Sequence, residues 1–183
     1  PALAEQVLGL LQAAGVPAVP DVKRPLDHGA WVPLMHLFPQ ANVPVVQVAL
    51  PASAGPREVF AMGQALAGLR GEGVLVIGSG SMTHNLGEFF SGMPQQDDPA
   101  AAYANEFSRW IEDVVARGDV AALLNYRTRA PHAVHAHPTE EHFLPIFFAL
   151  GAAGWGSDAA VKPDYLTREI MYRYLAMDAF ALG

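Results

Sequence analysis

Seven histidines are the residues of this chain best suited to chemistry, because the sequence contains no cysteine. Without a thiol, disulfides, thiolate catalysis and cysteine-based zinc or iron–sulfur sites are excluded. Imidazoles and carboxylates are then the side chains that could bind a transition metal. The histidines are His28, His36, His84, His132, His135, His137 and His142.

His84 follows a short apolar run, Val74–Ile77, and lies within the glycine-containing segment GSGSMTHN. If the run is a buried strand, His84 lies just beyond its carboxyl end, which is where parallel α/β sheets bind ligands. The segment matches neither G-x-G-x-x-G nor G-x-S-x-G, so a hydrolase nucleophile elbow is excluded. A capping histidine in a tight turn is the alternative interpretation.

His142 lies in the segment HAHPTEEHFLPIFF. Thr139 could cap a helix that runs to about Ala153 and carries Glu140 and Glu141 in its first turn, which suits the positive end of a helix. His142 would then be presented at the rim of a very apolar helix, as a metal ligand could be. A surface histidine near a helix start is equally consistent with this segment alone.

The other histidines give weaker signals. His132, His135 and His137 could form a metal-binding tract, although a solvated loop is the interpretation that we favour. His28 belongs to an Asp-His-Gly tripeptide, which is too short to be specific by itself. His36 lies in the helix-like segment WVPLMHLF, and we expect it to be semi-buried by packing.

Apolar residues at helical spacing predict several helices. One lies between Pro1 and Gly15, and others cover Pro56–Arg70, Ala100–Arg117 and, as a shorter piece, Val120–Tyr126. Residues 87–98 are rich in glycine, proline, glutamine and aspartate, which predicts a mobile loop.

Val45–Leu50 and Val74–Ile77 are short apolar runs typical of buried strands. With the helix between them they form a strand–helix–strand unit, which predicts parallel pairing and a right-handed crossover. The tail from Glu169 to Leu182 is predicted as two short strands. The expected fold is therefore α/β: a single-domain sandwich over residues 1–183, with a central, mostly parallel sheet flanked by helices.

Composition excludes some classes of function. The 183 residues suit one domain. The formal net charge of −7 repels phosphate backbones, so we expect no nucleic-acid partner. The longest apolar stretch, Phe143–Gly156, is shorter than the ~20 residues of a membrane span, and no signal-peptide pattern opens the chain. We therefore expect no membrane partner and a cytoplasmic location.

Three segments of this chain resemble one known family when they are read together. They are LDHGAWVPLMHLFPQANVPVVQVAL, VLVIGSGSMTHNLGEF and HPTEEHFLPIFFALGAAG, and the terminal AMDAFALG adds to the likeness. Together they resemble the class III extradiol ring-cleavage dioxygenases of the LigB type, in the branch related to DOPA dioxygenases. The resemblance covers nearly the whole chain.

The resemblance implies roles for three histidines. His84 matches the histidine of an S-x-x-H-N turn that lies at the metal and can transfer protons, and His142 matches a metal ligand. His28 matches a histidine near the bound substrate, so His28 and His84 are the catalytic candidates. The implied metal is Fe(II), with zinc as the alternative, and the implied substrates are a catechol-type aromatic compound and O₂.

The family also has an N-terminal segment with an H-G-x-P turn and a second histidine, and neither motif occurs in this sequence. The resemblance therefore implies an incomplete metal site, whose missing segment is truncated, cleaved or carried on another chain. We expect a homo-oligomer or a partner chain that supplies this segment. The alternative is a catalytically incomplete remnant or subunit that folds and oligomerises without turnover. A hydrolase or nucleotide-binding function is disfavoured, because the sequence has neither a nucleophile elbow nor a P-loop lysine.

Overall fold

The computed structural model describes residues 1–157 and 161–183. These residues form nine α-helices, one 3₁₀ helix and four short strands. The α-helices are α1 (Ala2–Ala13), α2 (His28–Leu37), α3 (Pro56–Ala65), α4 (Leu86–Gly92), α5 (Ala102–Arg117), α6 (Val120–Leu124), α7 (Tyr126–Arg129), α8 (Ala133–Ala136) and α9 (Pro145–Ala152). The 3₁₀ helix is Ala67–Glu72, and the strands are β1 (Pro163–Thr167), β2 (Ile170–Met171), β3 (Leu175–Ala176) and β4 (Ala179–Leu182).

Helices α3 and α9 cross with their backbones almost in contact. A Cβ atom added to Gly63 would lie 2.1 Å from the carbonyl oxygen of Phe148, and one added to Gly151 would lie 2.2 Å from that of Phe60. Atoms of any larger residue would overlap the facing backbone at both points, so the crossing requires glycine on each helix. The predicted helix over Pro56–Arg70 is thus confirmed, although it continues as the 3₁₀ helix in its second part.

Helix α5 packs an amphipathic face into the core, where it contacts α6, α8 and β3. Phe107, Ile111 and Val114 recur at helical spacing and are fully buried. The Phe107 ring meets the ring of Phe143, just before α9, with centroids 5.5 Å apart. Gly118 ends the helix in the left-handed region at φ 68°, as expected for a glycine at this position. The helix predicted for this segment is confirmed, as are α1 and the short helices that follow α5.

The structure does not show the central, mostly parallel sheet that the sequence predicts. Its strands form two separate two-stranded sheets, in which β1 pairs with β4 and β2 pairs with β3. Both pairs are antiparallel, with Pro163 opposite Leu182 and Ile170 opposite Ala176. The tail from Glu169 to Leu182, predicted as two short strands, contains three, namely β2, β3 and β4. The fold of the described residues is therefore a mixed helix-and-strand fold with small sheets.

The two predicted parallel strands, Val45–Leu50 and Val74–Ile77, are neither helical nor part of either sheet. Alternate residues of the second segment pack against the core, whereas Leu75 and Ile77 are 65% and 40% exposed. This alternation is typical of a strand with one buried face. Strand hydrogen bonds also need a partner strand, however, and the described residues do not supply one to these segments. The local pattern was therefore insufficient to predict a sheet.

Helix α9 begins later than the sequence predicts. The hydroxyl of Thr139 donates to the Glu141 carboxylate at 2.8 Å, instead of accepting from a backbone N–H as a cap would. Residues 138–144 consequently form bends and turns, and the helix starts at Pro145. Proline suits this first position because its missing N–H would have no partner there.

The predicted mobile loop over residues 87–98 is wrong in its first part. The side chain of Asn85 accepts a hydrogen bond from the backbone N–H of Glu88 at 3.2 Å and thereby caps α4. Asparagine is a favoured residue at this position because it satisfies a backbone donor that the helix leaves free.

The helices are short. The longest one described, α5, has 16 residues, whereas a membrane span needs ~20 apolar residues. Within residues 1–157 and 161–183, no helix is long and apolar enough to cross a bilayer.

Gly63→Ala should lower the free energy of unfolding by about 1–3 kcal/mol, because the added Cβ forces α3 and α9 apart. Urea denaturation followed by circular dichroism measures the change. Gly9→Ala is the matched control, since a Cβ there meets nothing within 4 Å; it should raise the free energy of unfolding by about 0.5–1 kcal/mol. Equal effects of the two substitutions would contradict the close crossing.

The exposed side of residues 74–77 should promote self-association, because an apolar face beside an unpaired strand edge tends to become buried. A Leu75→Ser/Ile77→Ser double variant should form fewer oligomers than the wild-type chain in light scattering at matched concentration. Val19→Ser removes an apolar side chain that is 84% exposed elsewhere on the surface, and should leave association unchanged. A monomeric wild-type chain at high concentration would refute this prediction.

Candidate active site

Residues 78–81, here called the glycine turn, pack directly on the start of α9 and on the chain that leads into it. A Cβ added to Gly78 would lie 2.2 Å from the carbonyl oxygen of Pro145, and one added to Gly80 would lie 2.3 Å from that of His142. The N–H of Ser81 donates to the same His142 carbonyl at 2.8 Å. Side chains at the two glycines would prevent this approach, so the turn explains how distant parts of the sequence meet here.

The turn brings the rings of His84 and His142 into contact in a tilted arrangement. Their ring centroids are 3.7 Å apart, with an angle of 56° between the ring planes, and both residues are partly buried. The backbone N–H of His84 donates to the carbonyl of Ala136 at 2.8 Å, which fixes this part of the chain against α8. Two histidines that the sequence singled out separately are thus brought to one point.

The His84 ring is held in its neutral form. Burial, together with the neighbouring His142 ring, lowers the pKa of His84 below its ordinary value, and the nearby Glu141 carboxylate opposes this only in part. A neutral imidazole has a free nitrogen lone pair, which can either bind a metal or accept a proton. The arrangement is therefore suited to both kinds of chemistry.

His137 is a buried histidine beside this pair, and the solvated loop predicted for it is wrong. It is 0% exposed, and its Nε2 lies 2.8 Å from the carbonyl oxygen of Met82. Because a carbonyl can only accept, Nε2 carries the proton and Nδ1 is unprotonated. Within the described residues Nδ1 has no hydrogen-bond partner. No local feature of the sequence indicates this burial, which depends on contacts with residues distant in the chain.

His132 and His135 lie on the surface and face carboxylates. The Nε2 atom of His132 is 2.8 Å from Glu106, and that of His135 is 2.6 Å from Glu88. Among residues 1–157 and 161–183, no group of three or more histidine, aspartate or glutamate side chains is placed to hold a metal ion. The metal-binding tract considered for this segment is therefore not supported.

His28 and His36 both lie on the exposed surface of α2, so the semi-buried packing predicted for His36 is wrong. His28 is the first residue of the helix, whose cap Asp27 accepts from the N–H of Ala30 at 3.1 Å. A Cβ added to Gly29 would lie 3.7 Å from the hydroxyl of Ser79 in the glycine turn. The N-terminus of α2, and with it His28, is therefore next to the turn that leads to His84.

Comparison with known proteins identifies the family. The family described as "Catalytic LigB subunit of aromatic ring-opening dioxygenase" matches residues 1–176. The chain belongs to the LigB family. The matched segment of this LigB-family chain runs from α1 to β3 and includes His28, His84 and His142.

Related proteins agree with this assignment. The chain is 43% identical over 160 residues to a protein of Beta vulgaris named 4,5-DOPA dioxygenase extradiol, covering 87% of this chain and 58% of that protein. It is 34% identical over 157 residues to an Escherichia coli K12 protein of the same name, covering 83% of this chain and 55% of that protein. The chain thus spans little more than half the length of these relatives.

A solved structure also resembles this one. The crystal structure of an uncharacterized protein from Escherichia coli K12 superimposes with a TM-score of 0.77 and 27% sequence identity. The match covers 100% of this chain and 72% of that chain. The mixed fold described above is therefore one that a known protein adopts.

The stability of this LigB-family chain should fall as the pH drops. Burial lowers the pKa of His137 from 6.5 to about 4. Between these values the unfolded state binds one proton more than the folded state, so the free energy of unfolding decreases by up to about 1.4 kcal/mol per pH unit. His137→Gln keeps an N–H donor for Met82 but cannot titrate, so its urea-denaturation midpoints should depend less on pH over this interval.

His36→Gln is the control, since it also removes one histidine but from the exposed surface of α2. It should keep the wild-type pH dependence. If His137→Gln and wild type lose stability equally between pH 6.5 and pH 4, another group must cause the acid sensitivity.

Proposed function

We propose that this chain forms part of an extradiol dioxygenase that opens the ring of a catechol-type aromatic substrate with O₂. The observation that carries the proposal is the pairing of the His84 and His142 rings, 3.7 Å apart beside the glycine turn. Membership of the LigB family and 43% identity to a protein named 4,5-DOPA dioxygenase extradiol support ring-opening chemistry.

His84 and His142 are the side chains that would hold the metal, with Fe(II) as the expected ion and zinc as the alternative. Their chemistry fits, because neutral imidazole nitrogens suit both ions. The described residues gather no group of three or more potential ligands, so this pair would provide part of a coordination sphere. A bound non-haem Fe(II) supplies open coordination positions at which the diol oxygens and O₂ can meet.

Proton transfer is the second task of the site. Ring opening requires removal of a proton from a substrate hydroxyl and its later return, and a neutral imidazole can accept it near neutral pH. His84 is a candidate for this role in place of metal binding, because a neutral imidazole has one free lone pair, and burial lowers its pKa and so favours the unprotonated ring. His28 is the second candidate for proton transfer to the substrate. It is exposed to solvent at the start of α2 and lies close to the glycine turn.

The overall reaction needs no outside reductant. Both atoms of O₂ enter the product, while the carbon–carbon bond beside the diol breaks. This chain's own contribution would therefore be to position the substrate and to move protons, tasks that require side chains held in fixed positions.

The alternative is a catalytically incomplete remnant or subunit that folds and oligomerises without turnover. It is supported by the number of ligands in the described residues and by the 58% of the Beta vulgaris relative that this chain spans. A partner chain or a second copy could supply further ligands. Ring cleavage by the 183-residue chain, alone and with added partner, distinguishes the two functions.

His142→Ala should weaken Zn(II) binding by at least about tenfold, since even residues that only orient a ligand contribute about 10–100-fold to metal affinity. Isothermal titration calorimetry on the 183-residue chain measures this. His36→Ala is the matched control and should bind Zn(II) like the wild type. An unchanged affinity in His142→Ala would show that the ligands have been misplaced.

His28→Ala should keep the metal affinity, because its proposed role is with the substrate. In any assembly that cleaves catechols, it should slow formation of the yellow ring-opened product under aerobic Fe(II) conditions by roughly 10²–10⁴-fold, the usual contribution of a general acid or base. Wild-type turnover in His28→Ala would remove this residue from the mechanism.

A further inference from the structure

Thr83 directly precedes His84, and its hydroxyl is hydrogen-bonded to the β2–β3 hairpin. Thr83 is 0% exposed. Its Oγ1 donates to the carbonyl oxygen of Tyr174 at 2.7 Å and accepts from the N–H of Ala176 at 2.8 Å. A buried hydroxyl that both donates and accepts is fully satisfied, and replacing it leaves a backbone carbonyl and an N–H without partners.

Hydrogen bonds to α8 hold the backbone at His84 and at Asn85 after it. Its own N–H donates to the Ala136 carbonyl at 2.8 Å, and the side-chain amide of Asn85 donates to the His135 carbonyl at 2.8 Å. The segment from Thr83 to Asn85 is therefore held by the C-terminal hairpin on one side and by α8 on the other. Three consecutive residues have their positions set by long-range hydrogen bonds.

The hairpin itself contains an unusual turn. Tyr172 and Arg173 adopt the left-handed region, with φ values of 49° and 64°. Residues other than glycine persist there only when their surroundings determine the conformation. The two hydrogen bonds to Thr83 begin at the next residue, Tyr174, so they hold the hairpin in this form while the hairpin holds Thr83.

We propose that Thr83 is a positioning residue through which the C-terminal hairpin sets the distance between the His84 and His142 rings. His84 shares a peptide bond with Thr83, so a shift of Thr83 moves the imidazole directly. The backbone of His142 is held two to three residues earlier in the same segment, because its carbonyl accepts from the N–H of Ser81 and lies against Gly80. The hydrogen bonds of the Thr83 hydroxyl act instead on the part of the segment next to His84. The functional consequence rests on the proposed function, whereas the ring geometry does not.

Thr83→Val tests the proposal, because valine keeps the shape of threonine and removes the hydroxyl, whereas Thr83→Ser keeps the hydroxyl. The first readout is the imidazole spectrum of the ¹⁵N-histidine-labelled chain, with His84 and His142 assigned through glutamine variants. Thr83→Val should shift the His84 ring signals and weaken the magnetisation transfer between the two rings. Thr83→Ser should leave both as in the wild type.

The second readout is Zn(II) affinity, which should fall about tenfold in Thr83→Val and stay within about twofold in Thr83→Ser, as for residues that orient a ligand. Trp155→Phe is the control for stability alone, since it removes a buried hydrogen bond from Trp155 Nε1 to the Val115 carbonyl. It should leave the His84 signals unchanged. If Thr83→Val does not fold, Thr83→Cys replaces the hydroxyl with a weakly bonding thiol and should show the same changes on a smaller scale.

Unchanged His84 signals in Thr83→Val, or equal shifts in Trp155→Phe, would overturn the positioning role. The result also separates this inference from the proposed function. If the wild-type chain binds no Zn(II), the metal site fails, while the contrast between Thr83→Val and Thr83→Ser in the ring signals still decides whether Thr83 positions His84.

Discussion

Close approach of backbone to backbone around α9 is the constraint on which the rest of the structure depends. Gly63 and Gly151 let α3 and α9 cross without side chains between them. Gly78 and Gly80 let the turn lie on the first turn of α9 and on His142 just before it. Each contact removes the space that a Cβ would occupy, so the elements are held at distances that cannot be adjusted by side-chain rotation. The pairing of the two central histidine rings follows from this rigidity, since one ring lies on each side of the contact.

Burial then determines what the histidines can do. His84 and His137 lie where desolvation lowers the pKa, so both are neutral at neutral pH. His132 and His135, at the surface, instead face Glu106 and Glu88. The same side chain thus serves as a potential ligand or base in one place and as a hydrogen-bond partner of a surface carboxylate in another. Residue type alone could not have separated these two groups.

Sequence reasoning succeeded where the determining contacts are local. Helical spacing in α1 and α5 predicts the helices because each turn is made by residues three or four apart. It failed where the partner is distant: Val74–Ile77 has the pattern of a strand, but a ladder is a property of two segments. The helix cap predicted at Thr139 is wrong for a third reason: its hydroxyl donates to the neighbouring Glu141 carboxylate and does not cap the helix. The meeting of His84 and His142 was anticipated from family resemblance, whereas the burial of His137 had no local signal.

The unpaired strand-like segment of residues 74–77 and the pair of histidine rings lie side by side. Residues 74–77 expose Leu75 and Ile77 and lead directly into the glycine turn that carries the histidine pair. A strand that paired with these residues would bury the apolar side chains and end near the pair, since a paired strand runs alongside its partner at about 4.8 Å. Under the proposed function, one added segment could complete both the sheet edge and the metal site. We therefore expect covering of the apolar edge and tighter metal binding to occur together.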